Sequence, residues 1–403
     1  MKKLLALLLA LCLLTGCAMQ PAAPETPDVP DAPPAPETPE TPDTPTAPDT
    51  PDTPDTPDVP DAQEAYLDAL LDAMTLEELV GQMFFVRRPE SGAAEDVAAY
   101  HLGGLLLFGR DYKDTAGEWL SADALISTLQ SEQAAARIPL FIGSDEEGGT
   151  VTRATRNPNL FSQKLASPQQ LYAAGGMERV ASETLTLAQR LRELGVNVDF
   201  APVCDVSTDE TDFIYARSFG RSAQETCEFV TTAVSALHSG GVAAVLKHFP
   251  GYGSNVDTHT GIAIDTRPYD TFTESDLLPF SAGIAAGADF VLVSHNIVEC
   301  MDASLPASLS AEVHRVLREE LGFDGVIITD DLAMDAVDAY AGGEAAILAV
   351  LAGNDMLCTG DYQTDIPAVL DAVRSGRIDE SQIRASVRRI LRAKLSLGLF
   401  DAA

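Results

Sequence analysis

The amino-acid sequence predicts an α/β protein with a (β/α)8 TIM barrel, preceded by a signal peptide and a disordered linker rich in Pro, Asp and Thr. Short apolar runs of strand length recur along residues 62–403, and stretches with helical periodicity lie between them. Short buried strands that alternate with helices are typical of a parallel sheet, and eight such units close into a barrel. A doubly wound open sheet is the alternative. It usually has a glycine-rich turn after the first strand, and Phe85 to Pro89 is not such a turn.

The first residues have the pattern of a secretory signal peptide. Lys2 and Lys3 precede the apolar run Leu4 to Leu14, which is too short to span a bilayer as a stable helix. The run ends in Leu-Thr-Gly-Cys17, which resembles the lipobox of bacterial lipoproteins, where the cysteine becomes the lipidated first residue. We therefore expect residues 1–17 to be a lipoprotein signal peptide and the protein to be exported and lipid-anchored to the outer face of the cell membrane. A core cysteine in an ordinary signal peptide is the alternative for Cys17.

Residues 18–61 are predicted to be a disordered acidic tether. From Pro21 to Asp61 the chain repeats Pro, Asp, Glu, Thr and Ala, with no aromatic residue and no Lys or Arg. A segment of this composition cannot bury a core. Proline favours the extended polyproline helix, so about forty residues at ~3.1 Å each reach roughly 130 Å when stretched. We expect the tether to hold a domain formed by residues 62–403 away from the membrane.

Charge and cysteine content limit the possible classes of protein. The formal net charge is −35 at pH 7, which argues against a nucleic-acid partner and against adsorption to anionic lipid headgroups. The cysteines after the lipobox are far apart and have no paired spacing, so they indicate neither a zinc site nor a small disulfide scaffold. Disulfide pairing among them is left open: Cys204, Cys227, Cys300 and Cys358.

Eight candidate strands follow a short helix near Thr75, where Thr75 and Glu78 have the spacing of a capping box. Each strand is a short apolar run that a polar turn follows. The predicted strands are Gly81 to Val86, Gly104 to Phe108, Leu140 to Ser144, Asn197 to Ala201, Val242 to Lys247, Asp289 to Ser294, Gly325 to Thr329 and Asp355 to Cys358.

Amphipathic periodicity predicts helices between these strands. Examples are Glu274 to Ala286, Ala311 to Leu321 and, near the end of the chain, Glu380 to Leu395. Gly287 and Gly322 directly follow the first two helices, where they are expected to act as C-terminal caps.

Polar motifs occur where the predicted strands end. In a TIM barrel the loops at the C-terminal ends of the strands build the active site, so these motifs are expected to lie together. They are Asp-Glu-Glu-Gly-Gly at residues 145–149 with Arg153, Arg-Ser-Phe-Gly at 217–220, Lys-His-Phe-Pro-Gly at 247–251, Asp-Thr-His at 257–259, Ser-His-Asn at 294–296 and Asp-Asp-Leu-Ala-Met at 330–334.

Together these motifs resemble the N-terminal barrel of glycoside hydrolase family 3, in particular its β-N-acetylglucosaminidase (β-hexosaminidase) branch. The resemblance covers residues 62–403, and it is specific because the motifs fall in the family's order on successive strands. It implies a retaining exo-glycosidase that hydrolyses terminal β-linked N-acetylglucosamine, with peptidoglycan fragments outside the membrane as the expected source. The expected partners are therefore a carbohydrate substrate and the membrane, and no cofactor is expected.

The resemblance implies that Asp330 is the catalytic nucleophile and that His259, assisted by Asp257, is the acid/base group. A carboxylate is ionised at neutral pH and can form a covalent glycosyl intermediate. Imidazole titrates near pH ~6.5, so it can protonate a leaving oxygen and then deprotonate water. The alternatives are a helix N-cap for Asp330, which is also the expected role of Asp331, and a solvated loop residue for His259.

The resemblance also assigns substrate binding to five residues. Carboxylates accept hydrogen bonds from sugar hydroxyls, and cations donate to hydroxyl, ring or carboxyl oxygens. The arginines could instead form surface ion pairs and the histidine could lie in the core, whereas a buried lysine needs a charged partner. Glu147 and Asp205 are expected to brace loops. Whether His295 lines the pocket is left open. The five residues are Asp145, Arg153, Arg217, Lys247 and His248.

Two departures from the family pattern concern the loops. Tyr252-Gly253-Ser254 replaces the usual His-Gly-Asp, and Thr150 stands where many relatives carry Arg, which puts the leaving-group side in doubt.

Many members of the family have a second domain that supplies a carboxylic acid as the acid/base group. A one-domain form needs its proton donor in the barrel, which favours the histidine mechanism over a β-glucosidase.

Other functions remain as alternatives. A phosphorylase of the same family would use phosphate to resolve the intermediate. A non-catalytic wall-binding lipoprotein would be expected to have lost a catalytic group, yet Asp330 and His259 are both present. A metal site is not expected, because no His-x-His motif follows the first strand to begin one.

Overall fold

A computed structural model describes residues 62–255, 263–334, 337 and 340–401 of the chain. Within these residues, eight parallel strands follow one another in chain order, each from β1 to β6 pairing with the next, and β8 pairs with β1. A further bridge between Ile328 and Met356 joins β7 to the residue before β8. The ring is therefore closed, which confirms the predicted barrel and excludes the open sheet. The strands of the ring are β1 Phe84–Arg87, β2 Gly104–Leu107, β3 Phe141–Ser144, β4 Val198–Asp199, β5 Ala243–Phe249, β6 Phe290–Val293, β7 Val326–Thr329 and β8 Leu357–Thr359, and two short strands outside it, Ile264–Asp265 and Ile297–Val298, pair with each other.

Helices alternate with the strands. A short helix, Tyr269–Thr271, and a π-helical turn, Phe272–Asp276, lead into α7, and a second π-helical turn, Val316–Glu320, extends α8. Across the described part of the chain, no helix is both long and apolar enough to cross a membrane. The helices are α1 Ala62–Asp72, α2 Leu76–Gln82, α3 Ala93–Tyr100, α4 Ala122–Ala135, α5 Pro168–Leu194, α6 Ala223–Ser239, α7 Leu277–Ala285, α8 Ala311–Arg315, α9 Ala345–Ala352, α10 Tyr362–Arg374 and α11 Glu380–Ser396.

The predicted helix ends are confirmed. Thr75 and Glu78 form a reciprocal capping box at the start of α2, with the Glu78 carboxylate 2.9 Å from the Thr75 backbone nitrogen. Gly287 and Gly322 follow their helices with φ of 92° and 68°, the left-handed conformation that a glycine cap supplies.

The first strand was predicted to begin too early. Gly81 and Gln82 belong to the last turn of α2, and β1 begins at Phe84. Both segments are buried, so the apolar run continues from the helix into the strand, and periodicity alone does not separate them. A Cβ atom on Gly81 would lie 2.1 Å from the Tyr100 carbonyl oxygen, so the glycine marks a close backbone contact rather than a strand.

Aromatic rings fill the inside of the barrel. Phe85 stacks on Phe141 at 6.2 Å and meets Phe200 edge-on at 5.3 Å. Lys394 of α11 is fully buried beneath them, with its Nζ 5.0 Å from the Phe141 ring centroid and donating to Gln82 Oε1 at 2.7 Å. The barrel is thus a packed core, and its upper end forms the floor of the site described next. The four cysteines of the described domain are free thiols: Cys204, Cys227, Cys300 and Cys358.

Candidate active site

A cavity of about 290 Å³ lies at the C-terminal ends of the barrel strands, a size close to the lower end for small-ligand sites, about 300 Å³. All five predicted substrate-binding residues line it, together with Asp330. Asp257 and His259 lie outside the described residues. The ionisable side chains that line the cavity are Arg87, Asp145, Glu147, Arg153, Arg217, Lys247, His248, Asp330, Asp331 and Cys358.

A larger cavity of about 500 Å³ lies between α8 and α11. Its wall includes Asp324 and Asp355, which precede β7 and β8, so it lies at the opposite end of the barrel from the polar motifs. Arg318 and Arg389 in its wall are both paired with Asp355. We therefore place the active site in the smaller cavity.

Asp330 follows the last residue of β7, and the sheet holds its backbone. Its N–H donates to the Val293 carbonyl of β6 at 2.9 Å, which continues the ladder between the two strands. The next N–H, that of Asp331, donates to Asp330 Oδ1 at 2.8 Å. This contact orients the Asp330 carboxylate.

Asp331 braces the same turn. Its Oδ1 accepts from the Ala333 N–H at 3.0 Å, and Arg87 of β1 contacts its other carboxylate oxygen. His295 is fully buried, and its ring nitrogens lie 2.7 Å from Ser308 Oγ and 3.0 Å from the Asp331 carbonyl oxygen. His295 thus supports the turn from below rather than lining the cavity.

A buried cluster of charges forms one wall. Lys247 Nζ lies 2.9 Å from Asp145 Oδ1 and 2.6 Å from Glu147 Oε1. Arg217 binds Glu147 with two bonds, of 2.9 Å from Nε and 2.7 Å from Nη2. These contacts give the buried ammonium the carboxylate partners that it requires.

The two cations decide the ionisation of Glu147. Burial alone would raise the pKa of this carboxyl, but the charges of Lys247 and Arg217 outweigh burial and hold the pKa well below its usual range. Burial likewise acts to lower the pKa of Lys247, and Asp145 and Glu147 reverse the effect and raise it. Glu147 and Lys247 are therefore both charged at neutral pH.

The arginines are paired, but not at an open surface. Arg153 Nη2 lies 3.2 Å from Asp145 Oδ2, and its guanidinium carbon is 5.6 Å from the Phe108 ring centroid. Arg87 lies 5.5 Å from the same centroid. Within the described residues, the buried Arg153 Nε has no hydrogen-bond partner. The ion pair with Asp145 therefore leaves the Nε–H donor of Arg153 without a partner among the described residues.

The contacts of His248 fix its tautomer. Its Nδ1 is 2.8 Å from Asp205 Oδ2 and its Nε2 is 3.0 Å from Arg217 Nη2. A guanidinium can only donate, so Nε2 accepts and Nδ1 carries the proton. Asp205 also accepts from the Tyr252 N–H at 2.7 Å, so it braces the loop after β5, in the predicted role.

Sequence reasoning missed several residues of the cavity. Arg87 and Phe108 lie at the ends of β1 and β2, and Cys358 lies in β8. The strand-end rule that located the other residues would have found them, although none belongs to a motif. Burial raises the pKa of the Cys358 thiol well above its usual value, and the charges of Asp331 and Asp330 add to this, so the thiol stays protonated.

Sequence reasoning assigned no role to Glu146, and its side chain does not line the cavity. Its carboxylate accepts from the Arg153 N–H and from Thr155 Oγ1, each at 2.8 Å, and so fixes the loop after β3. Burial raises the pKa of Glu146 and, more strongly, that of Asp199 beneath it, where the Glu146 charge contributes. In the described part of the chain, no group of three or more His, Cys, Asp or Glu side chains could hold a metal ion.

Comparison with known proteins gives consistent relatives. The beta-hexosaminidase of Nitrosomonas eutropha is 33% identical over 300 residues, which cover 71% of this chain and 83% of that protein. Beta-hexosaminidase A of Pseudoalteromonas piscicida is 29% identical over 333 residues, covering 75% of this chain, and the chain spans only 55% of that longer protein.

Structural comparison agrees. The solved structure of a glycoside hydrolase family 3 beta-N-acetylglucosaminidase from Paenibacillus sp. strain FPU-7 matches with a TM-score of 0.74 and 31% identity, over 81% of this chain and 63% of that one. The family model for the glycosyl hydrolase family 3 N terminal domain matches residues 75–393, most of the chain and nearly all of the barrel. The chain therefore belongs to glycosyl hydrolase family 3.

Proposed function

We propose that this protein is a retaining exo-glycosidase that hydrolyses terminal β-linked N-acetylglucosamine. The observation that carries the proposal is the position of Asp330, which lies in a sugar-sized cavity with its carboxylate oriented by the Asp331 N–H. The names of the relatives, beta-hexosaminidase and beta-N-acetylglucosaminidase, support the choice of substrate.

The charges around Asp330 suit a carboxylate nucleophile. Among the described residues, the cavity wall contains four cations, and the three carboxylates other than Asp330 pair with all of them: Asp331 with Arg87, Asp145 with Arg153 and Lys247, and Glu147 with Lys247 and Arg217. This described part of the wall thus carries one positive charge more than the charge of those three carboxylates, so it attracts a negatively charged group.

In the proposed reaction, Asp330 attacks the anomeric carbon while the bond to the leaving oxygen breaks and that oxygen takes a proton. The product of this step is a covalent glycosyl ester on Asp330. Water then gives up a proton, attacks the same carbon and releases the sugar and the free carboxylate. We assign the proton transfers to His259, assisted by Asp257.

The charged cluster has a different role, which is to bind the sugar in place. Asp145 presents carboxylate oxygens to hydroxyl groups, and Arg153, Arg217 and Lys247 present N–H donors. Charge-assisted hydrogen bonds are stronger and shorter than neutral ones. Because the cluster's ion pairs are already formed, the donors do not need to reorganise when the sugar binds.

We further propose that the protein is exported and anchored through a lipid on Cys17. A glycosidase at that position would meet peptidoglycan fragments outside the membrane, and these are the proposed source of its substrate.

Turnover of 4-nitrophenyl β-N-acetylglucosaminide beside the matching β-glucoside tests the proposal. We expect cleavage of the first substrate, and we expect Asp330→Ala and His259→Ala to lower kcat/KM by about a thousandfold or more. Asp324→Ala is the matched control, because this exposed carboxylate precedes the other end of the same strand, and it should keep full activity.

Three outcomes would contradict parts of the proposal. Full activity of Asp330→Ala would remove the mechanism. A preference for the glucoside would remove the substrate assignment. Release of sugar 1-phosphate in phosphate buffer, in place of free sugar, would make the protein a phosphorylase.

A further inference from the structure

Two buried carboxyl groups lie behind the charged wall of the cavity, on Glu146 and Asp199. The two residues are only 2% and 1% exposed. They are in contact, because the Glu146 N–H donates to Asp199 Oδ1 at 3.0 Å. Neighbouring carboxyl groups that are both removed from water cannot both be ionised without a large cost. One of the two is therefore expected to keep its proton, and their surroundings indicate which.

The Glu146 carboxylate is surrounded by hydrogen-bond donors. Its Oε1 accepts from the Arg153 N–H at 2.8 Å, from the Ala154 N–H and from Ser144 Oγ at 3.3 Å. Its Oε2 accepts from the Thr155 hydroxyl at 2.8 Å and from the Thr155 N–H at 3.4 Å. A backbone N–H can only donate, and each oxygen faces at least one. This is the pattern of an ionised carboxylate.

Asp199 has different surroundings. It precedes Phe200, whose ring meets Phe85 inside the barrel. Successive side chains of a strand point to opposite faces, so Asp199 points outward, toward the helices. There it lines a separate cavity of about 30 Å³ between β4 and the helices α5 and α6. The helix side chains that line this cavity are all uncharged: Pro168, Leu171, Val180, Thr184, Leu187, Phe229, Ala233 and Leu237.

Among the described residues, no cation forms an ion pair with Asp199. Lys247 binds Asp145 and Glu147 instead. Burial raises the pKa of Asp199 well above its ordinary value of 3.8, the charge of Glu146 adds to this, and the charge of Lys247 opposes the effect without reversing it. The titratable groups that face Asp199 from the neighbouring strands and loops are Tyr112, Asp145, Glu146, Glu147 and Lys247.

We propose that Asp199 is an uncharged carboxylic acid in the folded protein and acts as a positioning residue for the sugar-binding wall. Its Oδ1 holds the N–H of Glu146, and the residues on either side of Glu146, Asp145 and Glu147, line the active-site cavity. Its O–H can donate to a water molecule, for which the 30 Å³ cavity has room. A neutral acid thus supports this peptide group without placing a second negative charge beside Glu146. The consequence for turnover rests on the proposed function, whereas the protonation state does not.

Protonation of Asp199 affects stability in a way that can be measured without substrate. The unfolded chain loses this proton as pH rises above the ordinary pKa of 3.8, whereas the folded state keeps it. Its contribution to stability is therefore fully present below pH 3.8 and is lost progressively as pH rises toward the folded-state pKa. Asn has no such proton. For Asp199→Asn, the unfolding equilibrium constant relative to that of the wild type should fall about tenfold per pH unit between pH 5 and pH 7.

Urea titrations across this pH range measure the ratio, and Asp379→Asn is the matched control. Asp379 is the exposed N-cap of α11, and hydrogen bonds from Ser381 lower its pKa. Asn caps a helix equally well, so this variant should keep a constant ratio to the wild type. A constant ratio for Asp199→Asn would overturn the proposal, because the folded state would then hold an ionised Asp199. Failure of Asp199→Asn to fold would also overturn it, since an amide keeps the shape and the acceptor of a neutral acid.

Turnover of the chromogenic substrate tests the positioning role. Asp199→Asn keeps an oxygen for the Glu146 N–H, so it should retain wild-type kcat and KM at neutral pH. Asp199→Ala leaves this N–H without its acceptor, so KM should rise about three- to tenfold with kcat nearly unchanged. Wild-type kinetics for Asp199→Ala would overturn the positioning role. If the wild-type protein does not hydrolyse the substrate, the proposed function is wrong, and the urea titrations still decide whether Asp199 carries a proton.

Discussion

Glu147 is the residue on which the charged wall of the cavity depends. Its side chain is 1% exposed, and one of its oxygens is shared by Lys247 and Arg217. Asp145 alone could not replace it, because Asp145 already binds Lys247 and Arg153. A buried pair of this kind stabilises little compared with an apolar core, but removing one partner leaves a buried charge without compensation. Its main value is the fixed position of the donors that surround the sugar.

We predict that Glu147→Gln lowers the free energy of unfolding by about 3–5 kcal/mol and impairs turnover. The folded-state pKa of Glu147 is depressed, so its stabilisation is present above the unfolded-state value of 4.5 and is lost as pH falls through the folded-state pKa. The stability difference between wild type and variant should therefore narrow under acidic conditions. Urea titrations at neutral pH and at a series of pH values well below 4.5 measure it.

Glu319→Gln is the matched control for this prediction. Glu319 also faces an arginine, Arg315 at 3.7 Å, but its side chain is 69% exposed, and exposed pairs contribute about 0–1 kcal/mol. Equal stability changes for the two variants would show that burial of the pair does not matter.

The sequence predicts much of the site at this scale, because the residues that share a strand end also share a motif. The position of Lys247 at the end of a buried strand predicted a carboxylate partner, and both Asp145 and Glu147 contact its ammonium group. Contacts across the barrel were beyond sequence reasoning. Arg87 reaches Asp331 from 244 positions away, and a single arginine after an apolar run has no spacing that names its partner.

At the scale of the strands, small residues make room for the rings inside the barrel. Gly143 in β3 faces both Phe85 and Phe200, and a Cβ atom there would lie 2.8 Å and 2.7 Å from their ring atoms. Phe200 lines the floor of the cavity, and Asp145 lies two residues after Gly143 in the chain. Packing inside the barrel is thus connected directly to the position of a sugar-binding carboxylate.

We predict that Gly143→Ala lowers the free energy of unfolding by about 1–3 kcal/mol, because the added methyl group overpacks the barrel. It should also reduce kcat/KM, since the rings can move only toward the cavity floor or the core. Thermal unfolding and the chromogenic assay measure the two effects. Gly109→Ala is the control: it lies in the turn after β2, and nothing would be within 4 Å of its Cβ. A wild-type melting temperature for Gly143→Ala would mean that the rings repack without cost.

Strands were easier to predict than their limits. Each of the eight apolar runs overlaps a barrel strand, because a strand buried on both faces gives a continuous apolar signal. The same signal hides the limits. Asn197 to Ala201 was predicted as one strand, but only Val198–Asp199 is strand, while Phe200 and Ala201 remain buried beyond it. The apolar pattern of the sequence reports burial but not backbone pairing between strands. At Phe200 and Ala201 the chain is buried without being part of the strand.

At the scale of the whole molecule, the net charge and the proposed lipid anchor have opposite effects on membrane binding. With a net charge of −35 at pH 7, the chain is repelled by anionic headgroups. Attachment through its protein surface is therefore not expected. In the proposed arrangement, stable association comes from acyl chains on Cys17, and two such chains are enough for stable anchoring.

We predict that removal of this one sulfur abolishes membrane association completely. In a bacterial host, the wild-type protein should enter the detergent phase on phase partitioning and give an acylated N-terminal peptide by mass spectrometry, whereas Cys17→Ser should do neither. Cys300→Ser is the control, since Cys300 is an exposed free thiol of the folded domain whose loss should leave lipidation intact. Both variants should hydrolyse the chromogenic substrate like the wild type, because the barrel contains the whole proposed site. Wild-type protein that stays in the aqueous phase would show that Cys17 is an ordinary signal-peptide cysteine, and partial detergent-phase recovery of Cys17→Ser would reveal a membrane contact that the charge argument excludes.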